Sequence, residues 1–142
     1  QTVSMLAVLP EDVQAKIGSM DQHEAQVATR YAHSFMNLTE IGYESLDLSQ
    51  QAILAEGEMG ELQVDIESGD YLALSVCDDD CMDIDIFVIN SSGELIDSDV
   101  LDDTEPVVIF TILEGGRFHI GTSMEKCAAD NCMTMTLLAR KQ

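Results

Sequence analysis

Between Ser75 and Phe87 the chain runs SVCDDDCMDIDIF, five carboxylates and two thiols within thirteen residues. Three chemistries use such residues at such spacing: a metal centre, a redox pair, and a disulfide-bridged turn between strands. Three residues separate Cys77 from Cys81 and four separate Cys127 from Cys132, so the Cys-x-x-Cys spacing of dithiol redox sites is absent. Four thiolates in two close pairs match the ligand spacings of about two to four residues found at zinc sites. Each pair also lies between two apolar runs, where a small bridged loop is natural, with Asp78-Asp79-Asp80 as the exposed tip of the first. Four cysteines permit three pairings, and sequence alone does not choose among them.

The carboxylates suggest calcium, which needs about six to eight oxygens from converging side chains and loop carbonyls. Asp83 and Asp85 are two residues apart and share one strand face, so both can reach one ion, and Phe87 limits that cluster to the start of the strand. A second acidic loop, Asp97-Ser98-Asp99-Val100-Leu101-Asp102-Asp103, is placed to supply further ligands. The pattern of an EF-hand is absent. The plainer alternative is a set of solvated turn residues that repel one another. Catalytic constellations are weaker. His23 and His33 fall on a helical segment, and His119 sits on a strand between Phe118 and Ile120, facing away from its apolar neighbours. No Gly-x-Ser-x-Gly marks a serine nucleophile, and acids this abundant give no specific glycosidase signal. Asn37-Leu38-Thr39 and Asn90-Ser91-Ser92 match the short glycosylation pattern.

Two kinds of element must position these residues. From Pro10 to about Met36 the periodicity is helical: Val13, Ile17, Met20, Val27, Tyr31 and Phe35 recur at three- and four-residue steps. Gly18-Ser19 breaks the run, and Asp21-Gln22-His23-Glu24 reads as a capping box for a second helix. From Gly60 the period becomes two. Leu62, Val64 and Ile66 alternate with acids and Gln63, and Ile84, Ile86 and Val88 alternate likewise. Six or seven short strands follow, with turns at Ser68-Gly69-Asp70, Asn90-Ser91-Ser92-Gly93 and Glu114-Gly115-Gly116. The expected fold is mainly β: an antiparallel β-sandwich of jelly-roll type over residues 51–142, preceded by a helical segment over 1–50 that packs on it. Gln51–Ala55 reads equally as a short strand or a last helical turn. The expected sandwich core includes Val64, Leu74, Val76, Ile86, Val88, Ile109, Phe110, Phe118, Ile120 and Met135.

The 142 residues suit one domain, and an apolar content of 46% is ordinary for a globular chain. The charge is not ordinary: 27 acids against six bases give a formal net charge of −21. Such a surface repels nucleic acid and anionic membranes and suits cations or a basic protein partner. The acids run from Glu11 to Asp130 rather than forming a tail, as a solvated surface in salty surroundings would. No apolar run reaches the roughly 18 residues needed to span a bilayer. Ser4–Leu9 is too short for a signal core, and the start at Gln1 is that of a processed or trimmed chain.

Gly69-Asp70-Tyr71-Leu72-Ala73-Leu74, Asp83-Ile84-Asp85-Ile86-Phe87-Val88, Ser92-Gly93-Glu94-Leu95, Pro106–Thr111 and Gly116–Ile120 together resemble the bacterial pre-peptidase C-terminal domain, over residues of about 57–140. The resemblance implies a secreted β-sandwich that serves as an accessory module and has no catalytic residues. Some collagenase-linked relatives bind calcium and collagen, and Asp83 and Asp85 fall on the family's Asp-x-Asp strand start. With only Tyr31, Tyr43 and Tyr71 as tyrosines, the chain departs from the collagen-binding pattern. Export in turn favours disulfides, and local bridges Cys77–Cys81 and Cys127–Cys132 are the expected pairing, with Cys77–Cys127 as the competitor if both loops share one end of the sandwich. The expected function is that of a secreted or periplasmic, non-enzymatic binding or accessory module with no cofactor besides a possible calcium ion and with a protein, matrix or cell-surface ligand. The alternatives are a calcium-stabilised structural domain and an enzyme of unrecognised type, whose sign would be a polar pocket with His119 beside acids.

Overall fold

The computed structural model describes residues 10–18 and 20–142; the short apolar run Ser4–Leu9 lies outside them. Helices α1 (Glu11–Gly18) and α2 (Gln22–Glu40) come first. The strands are β1 (Tyr43–Leu54), β2 (Met59–Ile66), β3 (Gly69–Cys77), β4 (Cys81–Asn90), β5 (Leu95–Asp99), β6 (Val107–Ile112), β7 (Gly116–Cys127) and β8 (Cys132–Lys141). They form two antiparallel four-stranded sheets with orders β1-β8-β3-β6 and β2-β7-β4-β5. Two facing sheets in this order make an eight-stranded jelly roll. Every connection except the β4–β5 hairpin crosses from one sheet to the other. The β1–β2, β3–β4, β5–β6 and β7–β8 connections consequently gather at one end of the sandwich.

Alternation dictates what each sheet buries. Val64, Ile66, Tyr71, Ala73, Ile86, Val88, Val108, Phe110, Ile112, Phe118, Ile120 and Leu138 fill the space between the sheets. A second core lies on the far side of the first sheet, where Val27, Leu38 and Tyr31 of α2 pack on Leu72, Leu74, Val76, Leu137 and Ala139. The architecture has three layers: helix, sheet, sheet. This explains the dense apolar runs of β3 and β8, which are covered on both faces. It also corrects two core assignments, since Leu74 and Val76 are buried under the helix rather than inside the sandwich. Met135 is half-buried against that same helix-side core. Ile109 is 62% exposed, because β6 is an edge strand beyond the reach of α2 and its Val107–Ile109 face looks outward. Phe35 of the helical stripe is exposed as well.

Inside the sandwich one polar knot replaces apolar packing. Ser75 Oγ, Thr122 Oγ1 and Thr136 Oγ1 lie 2.7–3.0 Å apart in a closed ring that joins the two sheets, and each hydroxyl both donates and accepts.

The sandwich begins at Tyr43, so the expected boundary at residues 50 and 51 falls within β1. The register of β1 on β8 shifts between Ser45 and Leu48. That bulge interrupts the period-two pattern and hid the strand in the sequence. At the α2 N-terminus Asp21 is the cap, with its Oδ1 accepting from Glu24 N at 2.9 Å. The Glu24 amide lowers the Asp21 pKa. The β4–β5 hairpin uses Gly93 at φ 82° and Asn90 Oδ1, which accepts from Ser92 N and Glu94 N. The side chain of Asn90, one of the two glycosylation matches, is thus part of the turn.

Candidate functional site

Both cysteine pairs lie at the end where the four odd-to-even strand connections gather. Cys77 is bridged to Cys81 and Cys127 to Cys132, each with Cα atoms 6.0 Å apart. Cys81 and Cys127 are register partners on β4 and β7, and the sulfurs pack with Leu54, Ile84 and Met124 in one cluster. The two loops therefore do share one end, the condition for cross-pairing, yet the bonds are local. A five- or six-residue cyclic loop stabilises by about 2 kcal/mol through the entropy it removes from the unfolded chain. Unreduced peptide mapping is expected to return both local bridges; free thiols, or a peptide joining the Cys77 and Cys127 regions, would contradict this structure.

The Asp78–Asp80 turn is not the exposed tip that the sequence suggested. Asp78 is 3% exposed, and its Oδ2 accepts from Met133 N at 2.9 Å while its Oδ1 accepts from Asp80 N at 3.2 Å. The turn is held by α2. His23, Gln26 and Arg30 follow one another at three and four residues and so share a helix face. Along that face, His23 Nδ1 is 3.3 Å from Asp78 Oδ2 and 3.7 Å from Asp80 Oδ2. Gln26 Oε1 accepts from Asp79 N at 2.9 Å. Arg30 donates to the Cys77 carbonyl and pairs with Asp79. His23, Gln26 and Arg30 form a polar stripe at helical spacing in the sequence, but the spacing does not say which turn that stripe meets.

The expected calcium residues stand apart from this turn, on the outer face of the second sheet. Asp83 and Asp85 are 9% and 8% exposed. The acidic loop does approach them: Ile84 N donates to the Asp103 carbonyl at 3.1 Å, so the loop runs along the edge of β4 beyond the end of β5. Across the strand, Asp85 pairs in register with Ser123, whose hydroxyl donates to Glu125. Asp83 Oδ1 and Asp85 Oδ1 are enclosed and accept no hydrogen bond. Burial pushes Asp85 up to about 6, with further pushes from Glu125, Asp83, Asp99 and Asp103. Burial and then Asp102 also raise Asp83, against the pull of the Asp103 amide and Lys126. Two enclosed carboxyl oxygens without donors, on a strand whose neighbouring charges include Asp99, Asp102, Asp103 and Glu125, have the charge and donor type that a hard cation takes. The ligand atoms of these acids are not drawn together, however. Among the described residues, the group of metal-ligating side chains whose atoms all lie within 4.8 Å of one another is His23, Asp78 and Asp80.

His119 faces outward on β7, its Nδ1 2.6 Å from Glu61 Oε1, and Gln63 Nε2 donates to the same oxygen. The imidazole lowers the Glu61 pKa. The pair lies on the open face of strands β2 and β7 with Glu61 half exposed, and among the described residues its side-chain partner is Gln63. His33 lies mid-helix on α2. Among the described residues no helix is long and apolar enough to cross a membrane.

No family model matches the chain, and no curated protein does. Solved structures share its architecture at low identity. The pre-peptidase C-terminal domain of collagenase from Bacillus anthracis is 9% identical with a TM-score of 0.47, over 61% of this chain and 84% of that one. A periplasmic inhibitor of g-type lysozyme from Aeromonas hydrophila is 9% identical with a TM-score of 0.48, over 71% and 87%. A mitogen derived from Yersinia pseudotuberculosis is 13% identical with a TM-score of 0.42, over 66% and 84%. The pre-peptidase C-terminal domain noted from the sequence is thus among the structures this chain resembles. The likeness is one of β-sandwich architecture.

Proposed function

We propose that this chain is an exported, non-enzymatic binding module whose sandwich is completed by a calcium ion held between β4 and the 97–103 loop. The observation that carries the calcium reading is the pair of enclosed, unpartnered oxygens, Asp83 Oδ1 and Asp85 Oδ1. A buried carboxylate oxygen without a donor is unfavourable in its charged form unless the group is protonated or meets a cation. Oxygen-only donors favour calcium over softer metals. Asp99, Asp102, Asp103 and Glu125 are the acids that press electrostatically on the pair, and closure of the loop on the ion would bring them into its shell. Export is supported by the two disulfides, which persist in oxidising compartments. The His119–Glu61 pair lies on an open sheet face, an accessible surface suited to a binding role. The net charge of −21 favours a cationic or basic ligand over a polyanion.

Thermal unfolding tests the reading. Calcium in excess over its dissociation constant by about a hundredfold should stabilise the fold by about 2.7 kcal/mol relative to chelator. The double variant Asp83→Asn, Asp85→Asn should show no such shift. A wild-type melt indifferent to calcium, or a shift that survives in the variant, would overturn the assignment.

A further inference from the structure

His23, Asp78 and Asp80 sit where the first turn of α2 meets the β3–β4 turn, a group that does not include Asp83 and Asp85, which follow on β4. We infer that they form a second metal site, selective for a borderline dication such as zinc, that staples α2 to the bridged β3–β4 turn. The separations support it directly. His23 Nδ1 lies 3.3 Å from Asp78 Oδ2 and 3.7 Å from Asp80 Oδ2, and all three ligand atoms lie within 4.8 Å of one another. Ligands at the usual zinc bond lengths of about 2.0–2.2 Å in a tetrahedron are about 3.3–3.6 Å apart. The two separations from the imidazole nitrogen lie close to that spacing.

The surroundings are built as metal sites are. Asp78 is buried, and its Oδ2 already accepts from Met133 N, which fixes the direction of the carboxylate. Its other oxygen accepts from Asp80 N, so one ligand orders the backbone that carries another. The Asp80 carbonyl accepts from Ala128 N at 2.8 Å, tying the turn to the second bridged loop. Asp79, the remaining acid of the turn, is taken by Arg30. That leaves two carboxylates facing one imidazole, and Asp21 caps the same helix end. A dication neutralises this excess, which a protonated imidazole does only in part. Three protein ligands leave a coordination position open, and beside it lies a groove of about 570 Å³ that His23 and Asp80 share with Asp21, Asn131 and Met133. Water would take the open position, as at other three-ligand zinc sites. An imidazole donor separates this site from an all-oxygen calcium site, because it favours zinc, copper or nickel over calcium and magnesium.

The test is calorimetric titration of the full, disulfide-intact chain with zinc after chelator treatment, with calcium as the comparison. One zinc ion per chain is expected. Removal of a neighbour of a metal ligand typically weakens binding about 10–100-fold, so loss of the ligand itself in His23→Ala should exceed that range. Asp80→Asn should also weaken zinc binding, whereas Asp83→Asn with Asp85→Asn should leave it intact. Zinc-edge absorption should show nitrogen and oxygen neighbours and no sulfur. Absence of zinc binding, or binding unchanged in His23→Ala, would overturn the site and leave His23 as an ion-pair partner of the turn. Neither outcome bears on the calcium reading, which rests on other residues.

Discussion

Replacing Phe110 by alanine is expected to cost about 3–5 kcal/mol of unfolding free energy, while the same truncation at its neighbour Ile109 costs less than about 0.5 kcal/mol. The contrast follows from strand geometry alone. Phe110 points between the sheets, is 6% exposed, and stacks on Tyr71 with ring centroids 5.8 Å apart. Val108 and Ile112 flank it on the same face, so removing the ring opens a cavity that close-packed neighbours on both sheets cannot fill. Ile109 projects into solvent from an edge strand. Denaturant unfolding of the two variants checks this. A loss below about 1 kcal/mol for Phe110→Ala would show that β6 is in another register.

Stability in chelator should fall as pH rises from about 4 to about 6, and Asp85→Asn should remove most of that slope. The sign follows from the direction of the shift. Asp85 is held up at about 6, above an unfolded value of about 3.9, because burial and the surrounding acids disfavour its charged form. In that window the folded chain keeps a proton that the unfolded chain releases. Acid therefore favours the fold, and above pH 6 the full cost of charging the buried carboxyl is present. A difference of about two pH units corresponds to about 3 kcal/mol. General repulsion within a chain of −21 adds a slope of the same sign, but that part is common to wild type and variant. The observable is the difference between the two pH profiles of unfolding free energy. Superimposable profiles would show that Asp85 is solvated. Calcium should reverse the dependence, because an ion bound to the pair favours both carboxylates in their charged form.

Legibility in the sequence followed burial on one face or two. β2 and β4 were readable because one face is apolar and the other polar, so Val64, Ile66, Ile86 and Val88 stand out by alternation. β3 over Tyr71–Leu74 and β8 over Leu137–Ala139 carry continuous apolar runs because α2 covers their far side, and a run without alternation does not say which residue faces which layer. Nothing in that run shows that Leu74 and Val76 face the helix and not the sandwich interior. β1 was obscured by its bulge and by polar residues such as Ser45 and Gln50. The disulfides were readable from spacing and strand placement. The acidic character of both segments points the 97–103 loop toward Asp83, but nothing in the sequence marks Asp78 as buried. Three adjacent aspartates read as surface, and only the fold brings His23, Gln26 and Arg30 of α2 over them.

The placement of the calcium ion is tested most directly by a crystal structure grown in calcium, with anomalous scattering recorded at long wavelength. The account predicts an anomalous peak bonded to the carboxylates of Asp83 and Asp85 at about 2.3–2.6 Å, with the remaining ligands drawn from the 97–103 loop and Glu125. Ordered water on Asp83 Oδ1 and Asp85 Oδ1 with no anomalous peak between them, or a peak only elsewhere on the surface, would contradict it.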